Sequence, residues 1–157
     1  MFYIAADRIL PAVHKNERYP DLTVSDVGKD AADTIRSVID ASHIYNAGSW
    51  QECGCGFCYE DPDELEAILA EIPDEAVRTV SRTSQQAGYN SVASLRRYLA
   101  NAVVDGPLRL YVAWAGDEGN PVTTEVTIMP DYFGGHWFGV MDVDTLLTVV
   151  SGEPARV

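Results

Sequence analysis

Residues Asn90–Ala115 read NSVASLRRYLANAVVDGPLRLYVAWA, and within them the apolar period changes from about 3.6 to 2. Val92, Leu95, Leu99, Ala102 and Val103 share one helical face. Asn90 or Ser91 can cap the start, and Gly106-Pro107 stops the helix. Directly afterwards Leu108, Leu110, Val112 and Trp114 alternate with Arg109, Tyr111 and Ala113, the signature of a strand. A helix that feeds a strand through a Gly-Pro stop sets the expectation of a mixed α and β protein.

Downstream, Val122, Thr124, Val126 and Ile128 alternate in a second strand, and the intervening GDEGNP predicts a six-residue hairpin loop. The tail predicts a turn at Pro130-Asp131, a glycine-rich loop at Gly134-Gly135-His136-Trp137, and a strand or short helix near residues 145–150. Upstream, Phe2 and Ile4 alternate with Tyr3 and Ala5 in a short first strand. Residues 11–29, polar with Pro11 and Pro20, read as a connecting loop. KDAADTIRSVIDA (29–41) has Ala31, Ile35, Val38 and Ile39 at helical spacing, and SHIYNAGSW (42–50) predicts a strand.

The segment Glu60–Pro73, EDPDELEAILAEIP, carries a strong local signal. Asp61 is a favourable N-cap, Pro62 suits the first helical position, and Glu64 completes an Asp-x-x-Glu capping box. Leu65, Ile68, Leu69 and Ile72 form the stripe expected to be buried, and Pro73 ends the helix. DEAVRTVSRTSQQ (74–86) predicts a separate short helix ending near Gly88. Strands at both ends with helices between them predict one globular α+β domain over 1–157. The expected form is a two-layer sandwich, a mainly antiparallel sheet of about four or five strands with about three helices packed on one face.

The chain is long enough, at 157 residues and 46% apolar content, to bury a core. It has no run of about 18 apolar residues, and its first residues, MFYIAADRIL, lack the basic and apolar regions of a signal peptide, so no membrane span or leader is expected. With 24 acidic against 11 basic residues, the net charge of −13 argues against nucleic acid and anionic membranes as ligands; it is compatible with a basic protein partner, and equally with acidity that only confers solubility. The charge is uneven. Eight acids and no base lie between Glu60 and Glu75, whereas five arginines face one acid between Arg78 and Arg109. Neighbouring segments of opposite sign are expected to compensate each other in part.

All three cysteines fall in ECGCGFCY (52–59), as Cys53-x-Cys55-x-x-Cys58. Three readings follow. As a metal site, the three thiolates would hold zinc with a histidine as fourth ligand, either His43 on the preceding strand or His136 in the glycine-rich loop, although the usual second ligand pair is missing. As a redox site, Cys55 and Cys58 would form a CxxC pair, but the following helix begins too late to activate them and its acids oppose a thiolate. As a purely structural element, the glycines allow a sharp strand-to-helix turn in which the thiols pack as small apolar groups. Free thiols suit a reducing cytoplasm. No hydrolase elbow, P-loop, dinucleotide fingerprint or paired-histidine motif is present.

The sequence therefore leads to a small acidic cytoplasmic module that binds protein rather than catalysing a reaction, comparable in size and charge alone to immunity or antitoxin inhibitors. The alternative is a metal- or thiol-dependent protein with zinc on Cys53, Cys55, Cys58 and His43.

Overall fold

The computed structural model describes residues 1–134 and 143–152. Among the described residues six strands form one sheet: β1 (Phe2–Ala6), β2 (Thr23–Asp26), β3 (His43–Gly48), β4 (Leu108–Val112), β5 (Thr124–Ile128) and β6 (Thr145–Val149). Their order is β2-β3-β1-β4-β6-β5, antiparallel throughout except for the parallel pair β5 and β6. The α+β class is as expected, with six strands rather than four or five; the helices, expected on one face, lie on both, because the strands alternate apolar side chains to either side of the sheet.

Alternation along β1 divides the core. Phe2, Ile4 and Ala6 face a large cluster with Tyr45, Leu95, Tyr98, Leu99, Leu108 and Leu110. Tyr3 and Ala5 face a smaller one with Ala32, Ile35, Ile39, Ile44 and Tyr111. The first cluster is covered by the long helix α3 (Glu75–Ala102), the second by α1 (Lys29–Arg36). β1 is consequently buried along its whole length, as a central strand covered on both faces should be.

Three local expectations are corrected. The 11–29 loop contains β2 and an isolated bridge between Val13 and Val24, with Leu10, Val13, Leu22 and Val24 all buried. The hairpin across GDEGNP does not form as a strand pair: β6 lies between β4 and β5, in register Leu110↔Leu147 and Val126↔Leu147. The two helices expected on either side of Gly88 are a single helix, α3, of 28 residues. Gly88 does not break it, because its role is tertiary. A Cβ there would stand 2.0 Å from the Cys58 carbonyl oxygen, so glycine is what lets the cysteine turn rest on the helix.

The helix α2 (Pro62–Ala70) starts as read. Asp61 Oδ1 accepts from the backbone N–H of Asp63 at 2.9 Å and of Glu64 at 3.4 Å. Asp74 caps α3 in the same way, accepting from Ala76 and Val77. The stripe of α2 is another matter. Only Leu69 is buried, Leu65 and Ile72 are half-buried, and Ile68 is 55% exposed. Leu69 belongs to neither core cluster, so α2 packs locally and not on the sheet.

Candidate functional site

Two features stand out from the frame of the sheet: the cysteine turn, and the arm made by α2 and the first half of α3.

The turn is built in steps. β3 ends at Gly48, where any side chain would collide with Thr23 Oγ1 at 2.4 Å. The buried Ser49 donates its N–H to the Cys53 carbonyl at 2.9 Å and accepts from the Glu52 N–H at 2.9 Å, which forces Glu52 into the left-handed region at φ 63°. A short 3-10 turn, Gly54–Gly56, follows. Gly54 passes so close to Phe2 that an added Cβ would lie 3.0 Å from Phe2 Cβ, and one at Gly56 would lie 2.3 Å from Ser49 Oγ. A side chain at Gly56 would displace Ser49 or Trp50, and one at Gly54 would press on Phe2, so close approach favours small residues at both.

Beyond them the chain alternates in and out. Phe57 is buried against Phe2, with ring centroids 5.2 Å apart, and Tyr59 meets Tyr89 edge-on at 5.4 Å, while Cys58 between them is exposed. Two aromatic anchors thus hold the turn and leave the thiols at the surface. Ser91, mid-helix and buried, adds a tether: its Oγ accepts from the Trp50 N–H at 2.9 Å and donates to the Ala87 carbonyl at 2.8 Å. In the sequence alone it reads as a helix cap. A cap and a mid-helix serine cannot be told apart without knowing that α3 runs through Gly88.

All three cysteines are free, Cys55 and Cys58 exposed and Cys53 partly so. The Sγ atoms of Cys53 and Cys55 lie 2.8 Å apart in hydrogen-bond contact, and the Cys55 N–H donates to Cys53 Sγ at 3.3 Å. Burial opposes charge on Cys53, but the Cys55 thiol and the backbone amides of Cys55 and Gly56 outweigh it, so its pKa falls below the ordinary thiol value. Cys55 is pushed up, first by that same hydrogen bond and then by burial. Cys58 is also pushed up, by burial and by Glu60, and its Sγ lies 3.3 Å from the Cys55 carbonyl oxygen as a hydrogen-bond donor.

His43 is not brought to the thiols. It begins β3, paired with Ala6 and with its ring 6.5 Å from that of Tyr45, whereas the turn leaves the other end of the strand. Five residues of extended chain separate the ends, about 17 Å at the usual rise. Among the described residues, no three His, Cys, Asp or Glu side chains converge on a point that holds a metal ion. His136, the other histidine considered, lies outside the described residues, as does Trp137.

The arm is the second feature. From Glu60 to Ala87 the sole buried residue is Leu69. Arg82 clamps the two helices with a two-pronged contact to Glu66, both bonds at 2.8 Å, Arg78 pairs with Glu75, and Gln85 Oε1 accepts from the Glu60 N–H. Two of the eight acids, Glu66 and Glu75, are thereby compensated. Among the described residues no ion pair is found for Glu60, Asp63, Glu64 or Glu71. Ile68, Val77 and Val80 stand open beside them, Val80 at 65% exposure. Between arm and turn runs a groove of about 390 Å³ lined by Trp50, Cys55, Cys58, Leu65 and Val80.

A larger groove, of about 590 Å³, gathers Arg8, Lys15, Arg18 and Tyr98 at the C-terminal end of α3. Its cations are engaged structurally: Arg8 donates to the carbonyls of Ala102 and Gly106, and Lys15 to that of Trp50, while Arg18 lies over the Tyr19 ring. It closes the helix end more than it offers charge to a ligand.

Among the described residues no helix is long and apolar enough to cross a membrane. No protein-family model, no curated protein and no solved structure matches this chain.

Proposed function

We propose that this chain is a non-enzymatic protein-binding module, inhibitory or regulatory in role, which takes a basic amphipathic segment of another protein along the α2–α3 arm. The observation that carries this reading is the exposure of the arm: acids without ion-pair partners alternate with solvent-exposed Ile68, Val77 and Val80. Val77 and Val80 are one turn apart, which suits the apolar stripe of an incoming helix. Such a segment would bring lysines or arginines to Glu64 and Glu71 while its apolar side covers the valines. Electrostatic attraction of this kind speeds encounter and weakens as salt screens it.

The test uses a synthetic helical peptide with lysines on one side and leucines on the other, and an analogue with glutamate for lysine, followed by fluorescence anisotropy at low and high salt. The basic peptide is expected to bind and the acidic one not. The double reversal Glu64→Lys, Glu71→Lys should weaken binding at least tenfold. The charge-matched control Glu17→Lys, Glu125→Lys, on exposed residues away from the arm, should leave it within about twofold. Equal losses in both variants would mean that net charge alone attracts the peptide, and the proposal would fall; so would absence of binding by the unmodified chain.

A further inference from the structure

The CxxC spacing draws attention to Cys55 and Cys58, but the geometry selects a different pair. Cys53 and Cys55 have their sulfurs 2.8 Å apart across a single glycine, against about 2.05 Å in a formed disulfide. The Cys58 thiol is engaged elsewhere, donating to the Cys55 carbonyl at 3.3 Å.

We propose that Cys53 and Cys55 form an exchange-active dithiol that reduces a disulfide-bearing co-substrate and closes in turn to an intramolecular Cys53–Cys55 disulfide. Roles follow from the hydrogen bonds. Cys53 Sγ accepts from the Cys55 backbone N–H, which favours charge on that sulfur, so Cys53 is the nucleophile and Cys55 the resolving thiol. In the first step Cys53 thiolate attacks one sulfur of the co-substrate RSSR. The Cys53–S bond forms, the S–S bond of RSSR breaks, and RS⁻ leaves and takes a proton from solvent. In the second, Cys55 gives its proton to solvent and attacks Cys53 Sγ, and the second RS⁻ departs. Two electrons pass from the dithiol to RSSR, giving two RSH and one closed pair.

The surroundings suit this exchange. Cys53 is partly exposed, and the groove along Trp50, Leu65 and Val80 is lined by its neighbour Cys55, with room for the organic part of the disulfide. Gly54, between the two cysteines, keeps the loop free of a side chain against Phe2. The turn is held from outside the pair, by Phe57, Tyr59 and the Ser91 tether, so closing the S–S bond need not disturb those anchors.

The experiment incubates the reduced full-length chain with oxidised glutathione, blocks remaining thiols with iodoacetamide, and maps the products by peptide mass spectrometry. The expected result is a peptide short of two hydrogens, bridged between Cys53 and Cys55, with Cys58 alkylated. Cys55→Ser should stop at the first step, with glutathione retained on Cys53, and Cys53→Ser should take up glutathione at least tenfold more slowly. Circular dichroism of both variants establishes that they fold, and the unmodified chain gives the bridge assignment without them. A bridge between Cys55 and Cys58, glutathione on Cys58 first, or three thiols alkylated with no bridge would each overturn the proposal. So would zinc found by elemental analysis on chain purified without chelator, with thiols that exchange only after chelation.

Discussion

From Gly88 to Ala102, α3 places Ser91, Val92, Ser94, Leu95, Tyr98 and Leu99 in the interior; from Glu75 to Ala87 it buries nothing. The two halves share one unbroken hydrogen-bonded backbone and differ in what sustains it. The second half lies against the sheet, and its polar side chains tie down distant loops: Ser91 holds Trp50, Ser94 donates to the Pro20 carbonyl at 2.6 Å, and Tyr98 to that of Pro11 at 3.0 Å. The first half, about 20 Å long at helical rise, stands away from the sheet on its Asp74 cap, its Arg78 and Arg82 ion pairs and the strip under Leu69. A helix can thus be a structural spine at one end and a presented surface at the other. The change occurs at Gly88, where the cysteine turn crosses it.

The contrast can be broken most severely in the core. Leu95→Ala should destabilise the chain by about 3 kcal/mol, while Val80→Ala should stay within about 0.5 kcal/mol, both read from urea unfolding midpoints. Comparable losses would show that the arm is packed more tightly than its exposure implies. Gly88→Ala tests the junction. On helix preference alone it should stabilise by up to about 1 kcal/mol, but the clash with the Cys58 carbonyl should reverse the sign and cost about 1–3 kcal/mol. It should also loosen the turn, seen as faster alkylation of Cys58.

The smallest effect sharpens the comparison from the arm's side. The Arg82 hydrogen bond holds Glu66 below the usual carboxylate range. A carboxylate depressed on folding contributes stability above its unfolded pKa, and that contribution is lost as pH falls through the folded value. Acidification should therefore loosen α2 against α3 before it affects the sheet. Amide protection factors in residues 62–72 should fall below about pH 4.5 with those of the strand amides unchanged, and Glu66→Gln should remove that loss.

Local chemistry made several of these elements legible. Asp61-Pro62-x-Glu64 marked the start of α2 because a cap and a proline act within one turn, and the alternation in Phe2–Ala6 and Leu108–Val112 marked two central strands. Features that depend on distant partners were not. Gly88 resembles a stop because a glycine in a helix usually weakens it, and only the Cys58 carbonyl shows why it is there. β2 is short and lies among prolines and polar residues, so Val24 carries too little pattern to be seen. Nothing local in GDEGNP tells the chain that β6 will separate β4 from β5. His43 illustrates the converse error: ten residues in sequence looked near, but an extended strand carries a side chain far in few residues. The cysteine cluster was visible at once; which two sulfurs meet depended on the fold of the turn, and the spacing suggested the other pair.

The position of β1 has a consequence during synthesis. It is made before either of its partners, yet it becomes an interior strand flanked by β3 and β4, and its β4 partners begin over a hundred residues later, with Leu110 facing Ile4. At a ribosomal pace of about 5–20 residues per second, one edge of this wholly apolar strand stays uncovered for roughly 5–20 s after it is polymerised. For that interval the nascent chain carries an unpaired strand edge, the kind of surface that can pair with another chain.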